Sequence, residues 1–384
     1  MDEARLYYTN PYLDKFDAVV VSCQENGDRF EVVLSQTAFY AEGGGQPGDT
    51  GYIGTARVLD TQEKDGRILH YCTDRVCVGE EIHCEIDFAR RFDFMQNHSG
   101  EHILSGIIYK HYGFNNVGFH MGAETITIDF DGVLSAEQLK EIESEANNAV
   151  WKNIPFEISY PSDAELEKLF YRSKKELSGE VRIVTCERYD ACACCGTHVK
   201  HSGEIGLIKI LSCIPLRGGV RLEMVAGKRA YDCVNAVWNE NRQISALLSA
   251  KACETFGAVK RQFDALSDAK YRLYGLEERL FDALASAHAG KRNVTVFESE
   301  LSADGTRRLC DRMASVVCGR CAVFSGSDET GYKYAISLAE GETMDFIKTL
   351  NVTLNGKGGG KASLAQGSCS AIRSEIENFM RLGE

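Results

Sequence analysis

The chain has 384 residues, 44% of them hydrophobic and 26% charged, which suits a globular protein of two or more domains with real cores. A net charge of −13 excludes a general nucleic-acid-binding coat, because phosphates repel it, and leaves room only for local basic patches. The odd count of 15 cysteines, spread over the whole length, and an acidic start "MDEARLYYTN" exclude a secreted disulfide scaffold and a secretory signal; reduced, cytosolic thiols are expected, with a subset available for metal.

Residues 1–90 alternate β-type runs with turn signals ("DAVVVSC", "RFEVVLSQTAFY", "GYIGTARVLDTQ", "GRILHYC", "EIHCEID"), the pattern of a small β-barrel or meander. The apolar run "AVVV" at 18–21 is too short to cross a bilayer. From Arg90 the spacing becomes helical, with Ile103, Leu104, Ile107 and Ile108 on one stripe and Gly113 as the stop. A strand "ETITIDF" follows, then a helix from Ser135 to about Lys152 opened by the capping box "SAEQ". Next come a strand "FEISYPS", a helix "DAELEKLFYR", and strands "VRIVTC", "GEIGLIKILSC" and "GVRLEMVAG", making residues 91–230 a mixed α+β domain. Residues 231–290 read as two helices broken near "CETFG", an antiparallel hairpin acting as spacer or dimerisation surface. Residues 291–384 return to α/β, and near their end stands "NGKGGGKASLAQGS". The fold class expected is therefore multidomain α+β.

Two segments have the makings of a metal site. In "NHSGEH", His98 and His102 are four apart on a helix, so both imidazoles lie on one face. About 90 residues on, "DACACCGTHV" offers Cys194 and His198, with Gly196 between them. Three histidines and a thiolate form a borderline-soft set suited to zinc, with Cys186, Cys192 and Cys195 as competing ligands. A zinc-protease helix is excluded, because Ser99 stands where that motif needs Glu. Glu101 and Asp190 are candidate proton handlers. The ordinary alternative for each is a solvated carboxylate, and Glu101 is expected to face away from the histidines.

The stretch "TAFYAEGGGQPGDTG" carries three consecutive glycines, which suggests a backbone approached closely by something else, or a long hairpin connection. No Gly-Lys-Ser/Thr follows, so it is not a nucleotide-binding P-loop. Lys357 and Lys361 lie in glycine-rich text with no acidic residue from Val352 to Ser370, which fits either phosphate contacts or a plain surface loop.

Taken together and in this order, "TAFYAEGGGQPGDTG", "HSGEHIL", "CCGTHV", "GEIG" and "GGVRLEMVAGKRA" resemble the editing domain of alanyl-tRNA synthetase, and most of all its free-standing AlaX relatives, over about residues 1–230. The helical stretch and the α/β end resemble the synthetase's C-terminal, DHH-associated domain, a combination typical of the long AlaX form. One position departs: the family has Gly where this chain has Cys195. The resemblance implies a zinc-dependent hydrolase that removes serine, with glycine as an open second case, from mischarged tRNA(Ala). It further implies that the chain does not charge tRNA, since it opens directly into the editing-type β domain. By the same resemblance zinc is held by His98, His102, Cys194 and His198. Substrate meets Thr37, Gly43, Gly44, Gly45 and Gln46, the Thr37 hydroxyl lying near the serine side chain. Lys357 and Lys361 meet tRNA, residues 231–288 offer a homodimer surface, and the protein works in the cytoplasm. Two other readings compete: a non-catalytic tRNA-binding module with structural zinc, and a metallohydrolase of small esters.

Overall fold

A computed structural model describes residues 4–173, 180–338, 344–361 and 363–382. Three expected elements touch positions outside these residues: Ala339 at the end of "YKYAISLA", Thr343 at the start of "TMDFIKTL", and Ala362 in "NGKGGGKASLAQGS". The chain forms two compact units, residues 1–243 and 244–384. Among the described residues no helix is long and apolar enough to cross a membrane, and every cysteine is a free thiol.

The first unit begins with a closed barrel of strands β1 (Lys15–Asn26), β2 (Arg29–Leu34), β3 (Gly51–Ile53), β4 (Ala56–Lys64), β5 (Arg67–Cys72) and β6 (Glu81–Ile86), in the order β1-β2-β5-β4-β3-β6. Two-residue periodicity accounts for it. In "AVVV", Ala18 and Val20 point into the core while Val19 and Val21 are 40% and 52% exposed. Phe16, Val32, Leu34, Phe39, Ile53 and Val58 complete the interior.

Helix α1 (Phe88–Tyr112) follows directly. Asp87 caps it by accepting the Arg90 N–H, and Gly113 ends it in the left-handed conformation, φ 71°. The helix is buried almost continuously from Asn97 to Ile108. It packs with α2 (Ala136–Trp151) against a four-stranded sheet of β7 (Asn116–Met121), β8 (Ile126–Phe130), β12 (Ile208–Leu216) and β13 (Gly219–Ala226), ordered β12-β13-β8-β7. A small antiparallel sheet holds β9 (Phe156–Ser159), β10 (Ile183–Cys186) and β11 (Asp190–Ala193) in that order.

One local expectation changes here. The helix "DAELEKLFYR" is a single turn, Asp163–Leu166. Its end runs extended because Arg172 bridges to β11: its N–H donates to the Ala191 carbonyl, and its carbonyl accepts the Ala193 N–H. The cysteine-rich "DACACCGTHV" begins as strand, its first four residues being β11.

Barrel and helix are joined by a buried ion pair. Arg91 and Asp49 are 0% and 1% exposed, and Arg91 also donates to the carbonyls of Ala38 and Pro11. Asp49 in turn accepts the Tyr40 N–H. A fully hydrogen-bonded pair of this kind holds the glycine-rich stretch against α1, and removing one partner costs about 3–5 kcal/mol.

Helix α3 (Gly227–Leu247) runs past the boundary at residue 243 and α4 (Thr255–His288) follows it, so the helix break falls at residues 248–254. The second unit adds a five-stranded sheet of β14 (Arg292–Glu298), β15 (Cys318–Ser327), β16 (Gly331–Ser337), β17 (Gly356–Lys361) and β18 (Leu364–Cys369), ordered β14-β15-β16-β18-β17. Helices α5 (Ala303–Ala314), α6 (Asp345–Thr353) and α7 (Arg373–Leu382) complete it. "NGKGGGKASLAQGS" is thus a β-hairpin rather than an irregular loop. Its glycines make room for a ring: a Cβ at Gly358 or Gly367 would lie 2.2 or 2.5 Å from the Tyr334 hydroxyl.

Candidate metal centre and cavity

Helix α1 sets His98, Glu101 and His102 on one face, at spacings of three and four. The segment after β11 brings Cys194 and His198 to the same place. One donor atom from each of His98, His102, Cys194 and His198 lies within 4.8 Å of the others. The three rings stand 4.5–5.2 Å apart between centroids.

Each imidazole has its Nδ1 engaged elsewhere. His98 Nδ1 lies 2.9 Å from Gln46 Oε1, His102 Nδ1 lies 3.0 Å from Asp190 Oδ2, and His198 Nδ1 lies 3.1 Å from Ser99 Oγ. All three Nε2 atoms are therefore left for the centre, the arrangement by which outer partners orient metal-bound histidines. Cys194 Sγ is 3.5 Å from His98 Nε2 and 3.4 Å from His198 Nε2. Tetrahedral zinc with ordinary Zn–N and Zn–S bonds separates N from S by roughly 3.5 Å, so the donor set fits that ion.

Electrostatics agree. Burial opposes ionisation of Cys194, yet His98, His102 and His198 around it hold its pKa well below the usual thiol value. Burial also works against protonated His102, but the Cys194 thiolate and Asp190 outweigh it and raise its pKa. Burial together with the neighbouring His102 and His98 charges pushes His198 down to about 3.

The competing cysteines are sorted by position. Cys192 forms a second group with His102 and Asp190, and burial lifts its thiol to about 11. Cys186 lies in the hydrophobic core, lifted by burial to about 12. Cys195 is exposed, on the wall of a neighbouring cavity. Gly196 must lack a side chain, since a Cβ there would lie 2.1 Å from His98 Cε1.

That cavity, about 490 Å³, is lined by His98, His102, Cys194 and Glu101 with Gly44, Gly45, Phe119 and Arg172. The glycine-rich stretch enters as a tight turn. Gly43 and Gln46 exchange backbone hydrogen bonds, and Gly44 and Gly45 between them have φ of 60° and 87°. Two consecutive positive φ values are those of a type I′ turn, which favours glycine. A Cβ on Gly45 would also lie 2.5 Å from the Phe119 ring, and that ring stacks on His98. Gly44 and Gly45 reach the cavity wall, whereas Gly43 is half-buried behind them.

Four expectations about single residues change. Gln46 does not offer its amide to the cavity: it is fully buried, its Oε1 taken by His98 and the Thr197 N–H, its Nε2 donating to Thr197 Oγ1. Thr37 lies in the barrel interior, 0% exposed, with its hydroxyl 2.8 Å from His70 Nε2. Glu101 faces the histidine side and is 2% exposed, so it is neither turned away nor solvated. Asp190 is 8% exposed and receives both Nε and Nη2 of Arg172 while holding His102. Its burial and partners make it an orienting carboxylate. The sequence reading missed Glu101 on the histidine face, and its spacing of three from His98 is the signal that finds it; the roles of Ser99, Arg172 and Phe119 depend on long-range contacts that leave no local signal. Lys357 and Lys361 lie on the edge strand β17 of the second unit, exposed and on one face.

Comparison with known proteins agrees in sequence. A family model for class II (A) tRNA synthetases matches residues 11–90, and one for the threonyl and alanyl tRNA synthetase second additional domain matches residues 181–224. The alanyl-tRNA editing protein AlaX-L of Pyrococcus horikoshii is 28% identical over 397 aligned positions, covering 97% of this chain and 96% of that protein. Alanyl-tRNA editing protein Aarsd1 of Danio rerio is 26% identical, covering 96% of this chain and 95% of that protein. Alanine–tRNA ligase of Halobacterium salinarum is 33% identical over 88% of this chain, which spans 38% of the ligase. Over almost its whole length, then, the chain resembles the long AlaX-type alanyl-tRNA editing proteins.

Proposed function

We propose that this protein is a zinc-dependent trans-editing hydrolase that deacylates tRNA(Ala) carrying serine, and glycine as a second case, in the cytoplasm. The observation that carries the reading is the convergence of His98, His102, Cys194 and His198 on one point, with the first three of them on the wall of a 490 Å³ cavity that Gly44 and Gly45 also line. Relatives named as alanyl-tRNA editing proteins support the substrate class.

In this reaction water adds to the carbonyl carbon of the aminoacyl ester. The bond to the 3′-terminal ribose oxygen breaks, a proton passes to that oxygen, and free amino acid and tRNA leave. Zinc, when bound, supplies Lewis acidity towards a water or carbonyl oxygen. The chain's own residues do the rest. Gln46, Asp190 and Ser99 hold the three imidazoles, the Gly44–Gly45 turn lets backbone border the acyl group, and the Phe119 ring closes one side against water. The α/β end acts as the DHH-associated tRNA-binding domain through Lys357 and Lys361, and residues 231–288 form the homodimer surface.

Deacylation of Ser-tRNA(Ala), Gly-tRNA(Ala) and Ala-tRNA(Ala) tests the reading. Hydrolysis of the first at rates well above the last is expected, together with about one zinc per chain and its loss in His102→Ala and Cys194→Ala. A protein that holds zinc but hydrolyses none of the three is a binding module instead.

A further inference from the structure

A second cavity, of about 770 Å³, is lined entirely by residues of the second unit. Small-ligand sites span roughly 300–1,000 Å³. Strand register explains what faces it. Glu298 of β14 pairs with Ser325 of β15, Ser325 with Lys333 of β16, Lys333 with Ser368 of β18, and Ser368 with Lys357 of β17. Paired residues share a face, so one row crosses all five strands, acidic at one end and basic at the other. Ser325, Lys333, Ser368 and Lys357 of this row line the cavity, and Glu300, just beyond β14, lines it on the acidic side.

Neighbouring strands lie about 4.8 Å apart, so Lys333 and Lys357 flank Ser368 with roughly 10 Å between their backbones. Two lysine side chains so spaced reach a common point above the serine hydroxyl. Among the described residues neither lysine is paired with a carboxylate. Ammonium groups and a hydroxyl are ordinary phosphate contacts. The other side is built differently. Ser325, 3% exposed, accepts the Leu301 N–H at 2.9 Å and donates to the Leu301 carbonyl at 3.1 Å. This pins residues 299–301 to the sheet and holds Glu300 two to three strands from Ser368, roughly 10–14 Å by strand spacing. A carboxylate there repels phosphate and accepts hydrogen bonds from N–H or O–H groups.

The matching ligand has one phosphate at one end and neutral donors at the other. A polyphosphate fails, because its far end would meet Glu300. A nucleotide fits. Resting on the proposed reading that the α/β end binds tRNA, we infer that this cavity takes in one nucleotide of the tRNA, its phosphate between Lys333 and Lys357 and a ribose or base donor on Glu300. The RNA strand can continue outwards. β17 is the edge of the sheet, and Lys361 lies on the same face four residues from Lys357, roughly 13 Å along the strand. A free mononucleotide makes no use of Lys361. Lys333, Ser368 and Glu300 thereby join the edge-strand lysines as RNA-binding residues.

The test measures binding of uncharged tRNA(Ala) by the full chain over a series of salt concentrations. The positions changed are exposed, so melting temperatures should hold. Lys333→Ala should weaken binding roughly 3- to 10-fold and flatten the salt slope by about one unit, although Lys333 stands two strands in from the edge. Glu300→Ala is decisive by its sign. Removing an acid tightens RNA binding where it only relieves repulsion. Here it should weaken binding, by roughly 3- to 10-fold, because the nucleotide loses its acceptor. Unchanged binding in Lys333→Ala, or tighter binding in Glu300→Ala, would overturn the inference. With Lys357→Ala still weakened, the tRNA-binding reading would stand, the RNA then following the edge strand alone. AMP that binds tightly by itself and displaces no tRNA would give the cavity to a free nucleotide and equally overturn the inference. If wild type does not bind tRNA(Ala), the tRNA-binding reading fails, and this inference with it.

Discussion

Gln46 Oε1 accepts a hydrogen bond from His98 Nδ1 at 2.9 Å, and the same oxygen receives the Thr197 N–H at 3.1 Å. One side chain from the barrel thus ties together the two chain segments that supply the metal donors. It ties them by orienting a ligand, with both ends of its amide already used.

Gln46→Ala should therefore weaken metal binding before it affects substrate selection. Loss of such an outer partner typically costs 10- to 100-fold in metal affinity. Competition with a chelator should show that drop. Gln46→Glu, which retains an acceptor for His98, should keep most of the affinity. Equal zinc retention by wild type and Gln46→Ala would mean that His98 is oriented without Gln46.

Thr37→Val should destabilise the fold. The Thr37 hydroxyl donates to His70 Nε2, because His70 Nδ1 donates to the Val32 carbonyl at 3.0 Å, and Thr37 Oγ1 also accepts the Phe39 N–H. Valine leaves a buried acceptor and a buried donor unpaired, at roughly 1–3 kcal/mol. A melting temperature lower by several degrees is expected, with Thr37→Ser recovering most of it. An unchanged melting temperature with altered serine preference would return Thr37 to the substrate site.

His70 sets a pH dependence. Burial lowers its pKa from 6.5 to about 4, against the opposing bond to Val32. Above pH 6.5 the ring is neutral in both the folded and the unfolded chain, and its contribution to stability is fully present. As pH falls from 6.5 to about 4 the unfolded chain takes up the proton and the folded chain resists it, so stability is lost across that window, by on the order of 3 kcal/mol. Urea unfolding at a series of pH values should show this slope in wild type and a shallower one in His70→Gln. Parallel slopes would place the acid sensitivity elsewhere.

Replacing Lys357 and Lys361 with Ala should weaken tRNA binding without changing turnover at saturation. The two lysines share a face of β17, and Lys333 stands in the same row, since both it and Lys357 pair with Ser368 of β18. Each lost phosphate contact should flatten the salt dependence of binding by about one unit of slope. Binding with undiminished affinity and slope would assign this edge strand another purpose.

Much of the local structure could be read directly. The barrel strands are legible as β-type runs such as "DAVVVSC" and "RFEVVLSQTAFY" set between turn signals, and α1 announces its end at Gly113, because these are properties of neighbouring residues. The helix over "DAELEKLFYR" was misjudged for the converse reason. Helical spacing there is overridden by the bridge from Arg172 to β11, a partner about 20 residues away.

For the site, sequence by itself determined the chemical kinds: paired histidines on one helix face, a Cys–x–Gly–x–His segment beyond them, glycines at a turn, lysines without acids. Those are matters of residue identity and short spacing. Tertiary structure decided which thiol of four stands with all three imidazoles, that Gln46 and Asp190 orient ligands, that Thr37 belongs to the barrel interior, and that Glu101 opens onto the cavity. These follow from side chains brought together across some 30 to 150 residues of chain, where direction and burial exist only once the helix, the barrel and the sheets have packed.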